Sequence, residues 1–307
     1  MPSPDRSRKP TERVSRLYEV MDLMLDSVGD PLALKSLAAS ASYSSFHFDR
    51  IFRELTGFSA VEYQRKRRLR RAAHLLRHEP DVPIVRIAQD CGFPSNAAFA
   101  KAFKQQFAMS AKAWREGGWR AYMDAQVGRE SDVSFFVAEP GNLDVILAPY
   151  CPPQPGTVAA RIAVRSLPAV PLRYQRFFGQ SGAALSIACN GFIQEREHSA
   201  GTGTAWYGVF DEDPGFTGER EYCYDFGFAG EGEDDEDPCL GLRVLPAGSY
   251  ACLDFHNEWP RFRSMYEDWL DKQALWRLDA TRPHIQKVAR GPDGRWQGWL
   301  ALPIKKR

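Results

Sequence analysis

The chain writes one helical unit twice, and that repeat limits its possible folds more than any other feature. "LALKSLAASASYSSFHFDRIFRELTG" (32–57) and "IVRIAQDCGFPSNAAFAKAFKQQF" (84–107) share a skeleton of apolar positions. At an offset of 50, Leu34, Leu37, Ala38 and Tyr43 meet Ile84, Ile87, Ala88 and Phe93. After one inserted residue the offset is 51, and Phe48, Arg50, Phe52, Ser59 and Tyr63 meet Phe99, Lys101, Phe103, Ser110 and Trp114. Each copy reads as a short helix, a tight turn of small residues and a second helix, the first such helix capped by Ser44. Core positions persist between the copies. The outward ones do not: Phe46, Asp49 and Arg50 give way to Ala97, Ala100 and Lys101.

Around the repeat, Val14, Leu17, Met21, Met24, Leu25 and Val28 fall at helical spacing over 11–28. A basic helix, "VEYQRKRRLRRAAHLLRHEP", joins the two units and closes at Pro80. Residues 1–125 thus read as an all-α domain with helix-turn-helix units at about 31–57 and 81–107. Residues 126–159, rich in Pro and Gly, read as a linker. Residues 160–307 read as an α+β domain. Its strand candidates are "ARIAVRSL", "PLRYQRFF", "TAWYGVF", "YCYDFGF", "SYACLDF", "HIQKVA" and "WQGWLALPI". Helices are expected near Ser181–Glu197 and Pro260–Trp276, so that two similar halves follow one another. Between the halves, "GEGEDDEDP" (230–238) reads as a solvated acidic loop.

Net charge is +1, but it is unevenly shared. Residues 1–129 hold 22 Lys+Arg against 14 Asp+Glu, and residues 130–307 hold 18 against 25. A basic half followed by an acidic half predicts that the first meets a polyanion. No apolar run approaches the ~20 residues of a membrane span, and the charged N-terminus lacks a signal-peptide core, so the expected location is the cytoplasm. The 6 cysteines are scattered, with no C-x-x-C pair and no histidine near them at zinc spacing, and read as small buried groups.

On the helix after Ser44, Phe48, Ile51, Phe52 and Leu55 face inward, which points Ser45, Phe46, Asp49, Arg50 and Arg53 outward. That outward set suits a major groove. Phe46 can cover a thymine methyl, Arg50 can bond guanine O6 and N7, and Asp49 can accept from cytosine N4. The second unit shows Asn96, Ala97, Ala100, Lys101 and Lys104, and alanine cannot reach base hydrogen-bonding edges. It is therefore expected to anchor on phosphates while the first unit reads bases. Of Arg65, Lys66, Arg67, Arg68, Arg70 and Arg71 on the joining helix, some are expected to supply further phosphate contacts.

Residues 11–120, through "YSSFHFDRIFRELTG", "IAQDCGFPSNAAFAKAFKQQF" and the basic helix between, resemble the AraC-type double helix-turn-helix DNA-binding domain. The resemblance implies base reading at Phe46, Asp49 and Arg50 and at Asn96, Ala97, Ala100 and Lys101, with phosphate contact at His47. Ser42 stands where that family usually has glycine, and Ala60 and Ala111 where it usually has proline. Residues 160–304 resemble GyrI-like effector-binding domains, through "WYGVFDEDP", "REYCYDFGF", "LPAGSYACLDFH" and "PRFRSMYEDWL". This second resemblance implies a cleft lined by Tyr207, Tyr224, Phe255, Trp269 and Trp299, with Gln286 where an acid often meets cationic ligands.

The resulting expectation is a transcriptional regulator that binds double-stranded DNA and senses a small, partly apolar, neutral effector. One alternative makes the C-terminal half a protein-interaction module, with RNA polymerase or another regulator as partner. The other makes it a GyrI-like hydrolase tethered to DNA. No G-x-S-x-G, P-loop, H-E-x-x-H or G-x-G-x-x-G is present, so no enzyme, cofactor, metal or catalytic residue is expected.

Overall fold

The computed structural model describes residues 10–127, 158–180, 182–200, 204–213, 216–217, 221–230, 240–256 and 262–307. Most of the expected linker, nearly all of the acidic loop, and Cys151 and Cys239 lie outside these. The four described cysteines are free thiols, and Cys91, Cys189 and Cys252 are buried. No described helix is long and apolar enough to cross a membrane.

Helix α1 (Pro10–Asp26) leads into the first unit, α2 (Leu34–Ser40) and α3 (Ser45–Thr56). Helix α4 (Ala60–His78) joins it to the second, α5 (Ile84–Asp90) and α6 (Asn96–Phe107). A short α7 (Ala111–Ala113) and a kinked turn lead to α8 (Trp119–Val127). Serines start the helices in register with the repeat. Ser44 Oγ accepts from His47 N and Ser95 Oγ from Ala98 N, while Ser59 and Ser110 do the same for Glu62 N and Ala113 N.

The repeat builds two cores. Leu17, Val20, Met21 and Met24 of α1 pack with Leu37, Phe48, Phe52 and Tyr63. Ile87, Phe99, Phe103, Phe107 and Trp114 pack with Leu69, Ala72, Ala73 and Leu76 of α4. The indole N–H of Trp114 donates to the Ala73 carbonyl at 2.9 Å, which ties the second unit to the joining helix. With 19 residues α4 is roughly 28 Å long.

The C-terminal half is one antiparallel sheet of β1 (Ile162–Leu167), β2 (Val170–Phe178), β3 (Trp206–Phe210), β4 (Cys223–Ala229), β5 (Gly241–Leu245), β6 (Gly248–His256), β7 (Trp276–Leu278), β8 (His284–Arg290) and β9 (Trp296–Lys306). Strand order is β1-β6-β9-β8-β3-β4-β2-β5, with β7 paired to the end of β9. Exchanging β1 with β5, β2 with β6, β3 with β8 and β4 with β9 turns this order into its own reverse. The sheet is therefore an internal duplicate. The opening strand of each half pairs with the second strand of the other, β1 with β6 and β5 with β2.

All seven strand candidates are strands, and the pattern missed β5 and β7. Helix α9 (Gly182–Ala200) matches its expectation. The helix expected over Pro260–Trp276 is shorter: α10 covers Phe262–Asp268, and the chain leaves helical dihedrals at Trp269, with φ −124°. Helices α9 and α10 cover one face of the sheet, over Trp206, Tyr224, Phe226, Leu253 and Leu300. The other face carries Tyr174, Tyr207, Val209, Tyr250 and Ile285, with Tyr18 of α1 packed on it.

The halves dock through buried charge. Arg67 Nε lies 3.0 Å from Glu212, Arg70 pairs with Glu212 and Glu221, and Lys66 Nζ lies 2.5 Å from Glu221. Farther along, Arg77 Nη2 lies 3.5 Å from Asp271, and Glu79 pairs with Arg277. Phe216 reaches from the C-terminal half into the second unit's core, 5.0 Å from the Trp114 ring. On the other side, Arg176 chelates Asp225 at 2.6 and 2.7 Å and holds Asp22 of α1 at 2.6 Å. Arg243 bridges Asp225 to Asp211. Burial alone would raise the Asp211 carboxyl, but the Arg243 guanidinium outweighs it and holds it below its ordinary 3.8. That contribution to stability is present above the unfolded value and is lost as pH falls into the acid range.

Two substitutions test the repeat. Ser42 (φ 59°) and Ala108 (φ 58°) are left-handed without being glycine, whereas their counterparts Gly92 (φ 72°) and Gly57 (φ 78°) are glycine. Such a residue carries about 1–3 kcal/mol of strain, and glycine returns part of that gain as unfolded-state entropy. Ser42→Gly and Ala108→Gly should each stabilise the chain by about 1 kcal/mol, read from the urea midpoint. Gly92→Ser should do the reverse, since a Cβ there would sit 2.7 Å from the Gly29 carbonyl oxygen. No gain from either glycine would show that the strain is relieved elsewhere. A separate test addresses the docking. Glu212→Gln combined with Glu221→Gln leaves Arg70 with no carboxylate partner at a site where its side chain is 2% exposed. That costs about 3–5 kcal/mol while the interface stays closed. Calorimetry should show the halves melting apart, and an unchanged single transition would refute the role given to these pairs.

Candidate nucleic-acid interface

Helix α3 owes its orientation to its buried stripe. Phe48 and Phe52 are fully enclosed, and Ile51 and Leu55 are half-buried. What remains outward is Phe46, 82% exposed, and the exposed side chains of Arg50 and Arg53 farther along the helix. Arg50 meets Glu54 at only 3.8 Å across one helical turn. An exposed pair of that kind is worth about 0.3–0.5 kcal/mol, so Arg50 is readily released to a stronger acceptor. Ser45 and His47 sit half-buried at the helix start, with the His47 ring stacked on Tyr43 at 5.1 Å.

Asp49 is half-buried and already holds two partners within the chain. Its carboxylate accepts from Arg53 Nη2 at 3.0 Å and from the backbone N–H of Ala60 at 3.1 Å. The latter is one of the orphan donors at the start of α4. Asp49 therefore links α3 to the start of α4, with one donor on each oxygen and a second lone pair left on each. Helix α6 does present the outward set expected of it: Asn96, Ala97, Ala100, Lys101 and Lys104 are all exposed, over a buried Phe99, Phe103 and Phe107. Its surface is flat where α3 carries long side chains.

The joining helix turns most of its cations away from solvent. Lys66, Arg67 and Arg70 face Glu212 and Glu221 of the C-terminal half rather than solvent. Arg68 donates to the Gly92 carbonyl at 2.9 Å and lies over the Phe93 ring. Arg71 is half-buried beside the second unit, and only Arg65 of the six stands exposed. The C-terminal half thus occupies α4 and leaves the outward sets of α3 and α6 uncovered.

The six residues expected to line one effector cleft fall on two sides of the sheet. Tyr224, Phe255, Trp269 and Gln286 belong to the face under α9 and α10, where the Tyr224 hydroxyl donates to Gln286 Oε1 at 3.3 Å. Tyr207 and Trp299 lie together on the opposite face, ring centroids 6.5 Å apart, with Lys287 Nζ 5.7 Å from the Tyr207 ring. The register causes the split. Side chains alternate along a strand, and β3 pairs Tyr207 with Lys287 but Gly208 with Gln286. Gly208 was not singled out from the sequence, yet it makes room for Tyr224: a Cβ there would sit 1.7 Å from the phenolic oxygen. Asp225 points away from this group and is held by Arg176 and Arg243.

Reasoning from sequence also missed a cavity of about 620 Å³ between α4 and the sheet. Arg70, Arg71, His74, Asp213, Arg243 and His284 are among the residues that line it. Nothing local in the sequence marks it, because its walls come from both halves of the chain.

Residues 37–117 match the helix-turn-helix domain family. Over 93 residues the chain is 40% identical to the right origin-binding protein of Escherichia coli (strain K12), covering 30% of this chain and 32% of that protein. It therefore spans about a third of the length of that relative. It is 31% identical over 101 residues to the multiple antibiotic resistance protein MarA of Escherichia coli (strain K12), covering 33% of this chain and 78% of MarA. The solved DNA-binding domain of AdpA, in complex with a target DNA, is 33% identical with a TM-score of 0.33, covering 35% of this chain and 95% of that one. On the match to MarA, and on the two serine-capped units that carry it, the chain belongs to the AraC-type helix-turn-helix family.

Proposed function

We propose that this chain is a sequence-specific DNA-binding transcriptional regulator whose C-terminal half senses a small molecule. The observation that carries the reading is the contrast between two uncovered helix faces. Helix α3 offers Phe46, Arg50 and Arg53, with the reach to contact base edges, and α6 offers Asn96, Ala97, Ala100, Lys101 and Lys104. Arg50 reads a guanine, Phe46 covers a thymine methyl, and the α6 lysines hold phosphates. Ser45 and His47 add phosphate contacts at the start of α3. Asp49 accepts from a cytosine N4 and also ties α3 to the start of α4.

In this reading the C-terminal half is a GyrI-like effector-binding domain. Its internal duplication and aromatic interior support that assignment. The ligand site centres on Tyr224 and Gln286, with Phe255 and Trp269 on the same side of the sheet. Tyr207 and Trp299 belong to a separate surface. An amide rather than a carboxylate at Gln286 favours a neutral aromatic ligand. A buried cation would lose several kcal/mol without a counter-charge, and aromatic faces return only ~0.5–2 kcal/mol.

Arg50→Ala should cost about 1–3 kcal/mol at the cognate site and relax preference at one base pair. Lys101→Ala should weaken specific and non-specific DNA alike and lower the salt slope by about one unit. Binding isotherms over a range of salt decide the matter, and equal losses of discrimination in both variants would sink the division of labour. For the effector site, Gln286→Glu should shift preference from neutral to quaternary-ammonium aromatics, followed by tryptophan fluorescence. Tight cation binding by the unmodified chain would show that the site lies elsewhere.

A further inference from the structure

Helix α4 carries two histidines one turn apart, His74 and His78, on the side that meets the C-terminal half. Their rings lie 4.8 Å apart by centroid. His74 is 7% exposed, and Nε2 of each ring is buried without a hydrogen-bond partner. Two such nitrogens side by side are costly, and an orphaned pair in a native fold asks for an ion or a water to explain it. Asp213, on the segment after β3, supplies a carboxylate oxygen. One ligand atom from each of His74, His78 and Asp213 lies within 4.8 Å of the other two.

We propose that His74, His78 and Asp213 form a binding site for a divalent first-row transition ion, zinc by its ligand set, that clips the joining helix to the C-terminal half. Two imidazoles and a carboxylate are a common three-ligand set for zinc, and the cavity that touches His74 and Asp213 can bring water to a fourth position. Histidines at i and i+4 share one face of a helix, so both can turn to one ion. With bonds of about 2.1 Å the ion draws the three atoms inward, and that pull crosses the domain boundary. Burial pushes both imidazoles well below their ordinary range, which keeps them neutral, as ligands must be.

The surrounding charge permits the ion. Arg77 Nη1 lies 3.9 Å from the Asp213 carboxylate, but its other nitrogen already meets Asp271 at 3.5 Å. Glu212 and Asp211 line the same cavity and neutralise its Arg67, Arg70 and Arg243, which leaves Asp213 to face the ion. The His284 Nε2, 2.5 Å from the Tyr266 hydroxyl, is engaged and stands beside the set rather than in it.

The full chain, stripped with a chelator and titrated with zinc chloride, should take up one ion per chain. Its melting temperature should rise with zinc concentration by mass action. His74→Gln and His78→Gln should each weaken uptake at least about 10-fold, comparable with or beyond the loss of a supporting outer contact. The control His256→Gln, on the sheet surface beside Asp293, should bind as the unmodified chain does. X-ray absorption at the zinc edge of the unmodified protein gives an answer even where a variant fails to fold. Two imidazole scatterers with oxygen support the site. No uptake at this stoichiometry, uptake unchanged in both α4 variants, or a shell without imidazole overturns it.

Discussion

A row of cations on one helix has to leave water before the two halves of this chain can meet. Arg67 and Arg70 are almost fully enclosed, and removing a guanidinium from solvent costs several kcal/mol unless a carboxylate stands ready. Glu212 and Glu221 fill that role from the loop after β3 and the approach to β4. The arrangement fixes the register of docking, because a slip of one helical turn would leave a buried charge without its partner. It also explains the uneven charge of the sequence. Part of the basic excess of the first half answers acids in the second, rather than a nucleic acid.

Duplication shapes both halves, and each handles it differently. The helical units keep their apolar positions and serine caps but exchange one glycine requirement each, Ser42 against Gly92 and Ala108 against Gly57. The asymmetry has a steric side. Gly92 lies against the backbone of Gly29 and cannot accept a side chain, while Ser42 carries one. In the sheet, the halves trade their opening strands, so neither can close without the other.

The helical units were legible because their determinants are local. Ser44 and Ser95 lie three residues from the N–H groups that they accept from, and the Phe48–Phe52 and Phe99–Phe103 spacings lie within single helices. The fate of Arg70 was not legible, since its partners stand 142 and 151 residues away. Within the run, an arginine facing phosphate looks like one facing a carboxylate. The aromatic group split for another reason. Every residue of β3 is buried, so "WYGVF" shows no alternation to say which side Tyr207 takes. His74 and His78 are one turn apart in plain view, but Asp213 joins them only in the folded chain, and a search centred on cysteine passes them by.

Helix α4 is both the spacer between α3 and α6 and, with α1, an element that the C-terminal half grips. An effector can alter DNA affinity only through a difference in its own affinity between two arrangements of the protein. The contacts able to carry that difference are those between the halves: on α4 the Glu212 and Glu221 pairs, the Arg77 contacts and the inserted Phe216 ring, and on α1 the Arg176–Asp22 pair. These are largely buried and escape ionic screening, whereas Arg50 and Lys101 are exposed and feel it fully. Salt therefore loosens the grip on DNA without loosening the grip between the halves. Any coupling between the halves that survives at high salt would run through these buried contacts on α4 and α1.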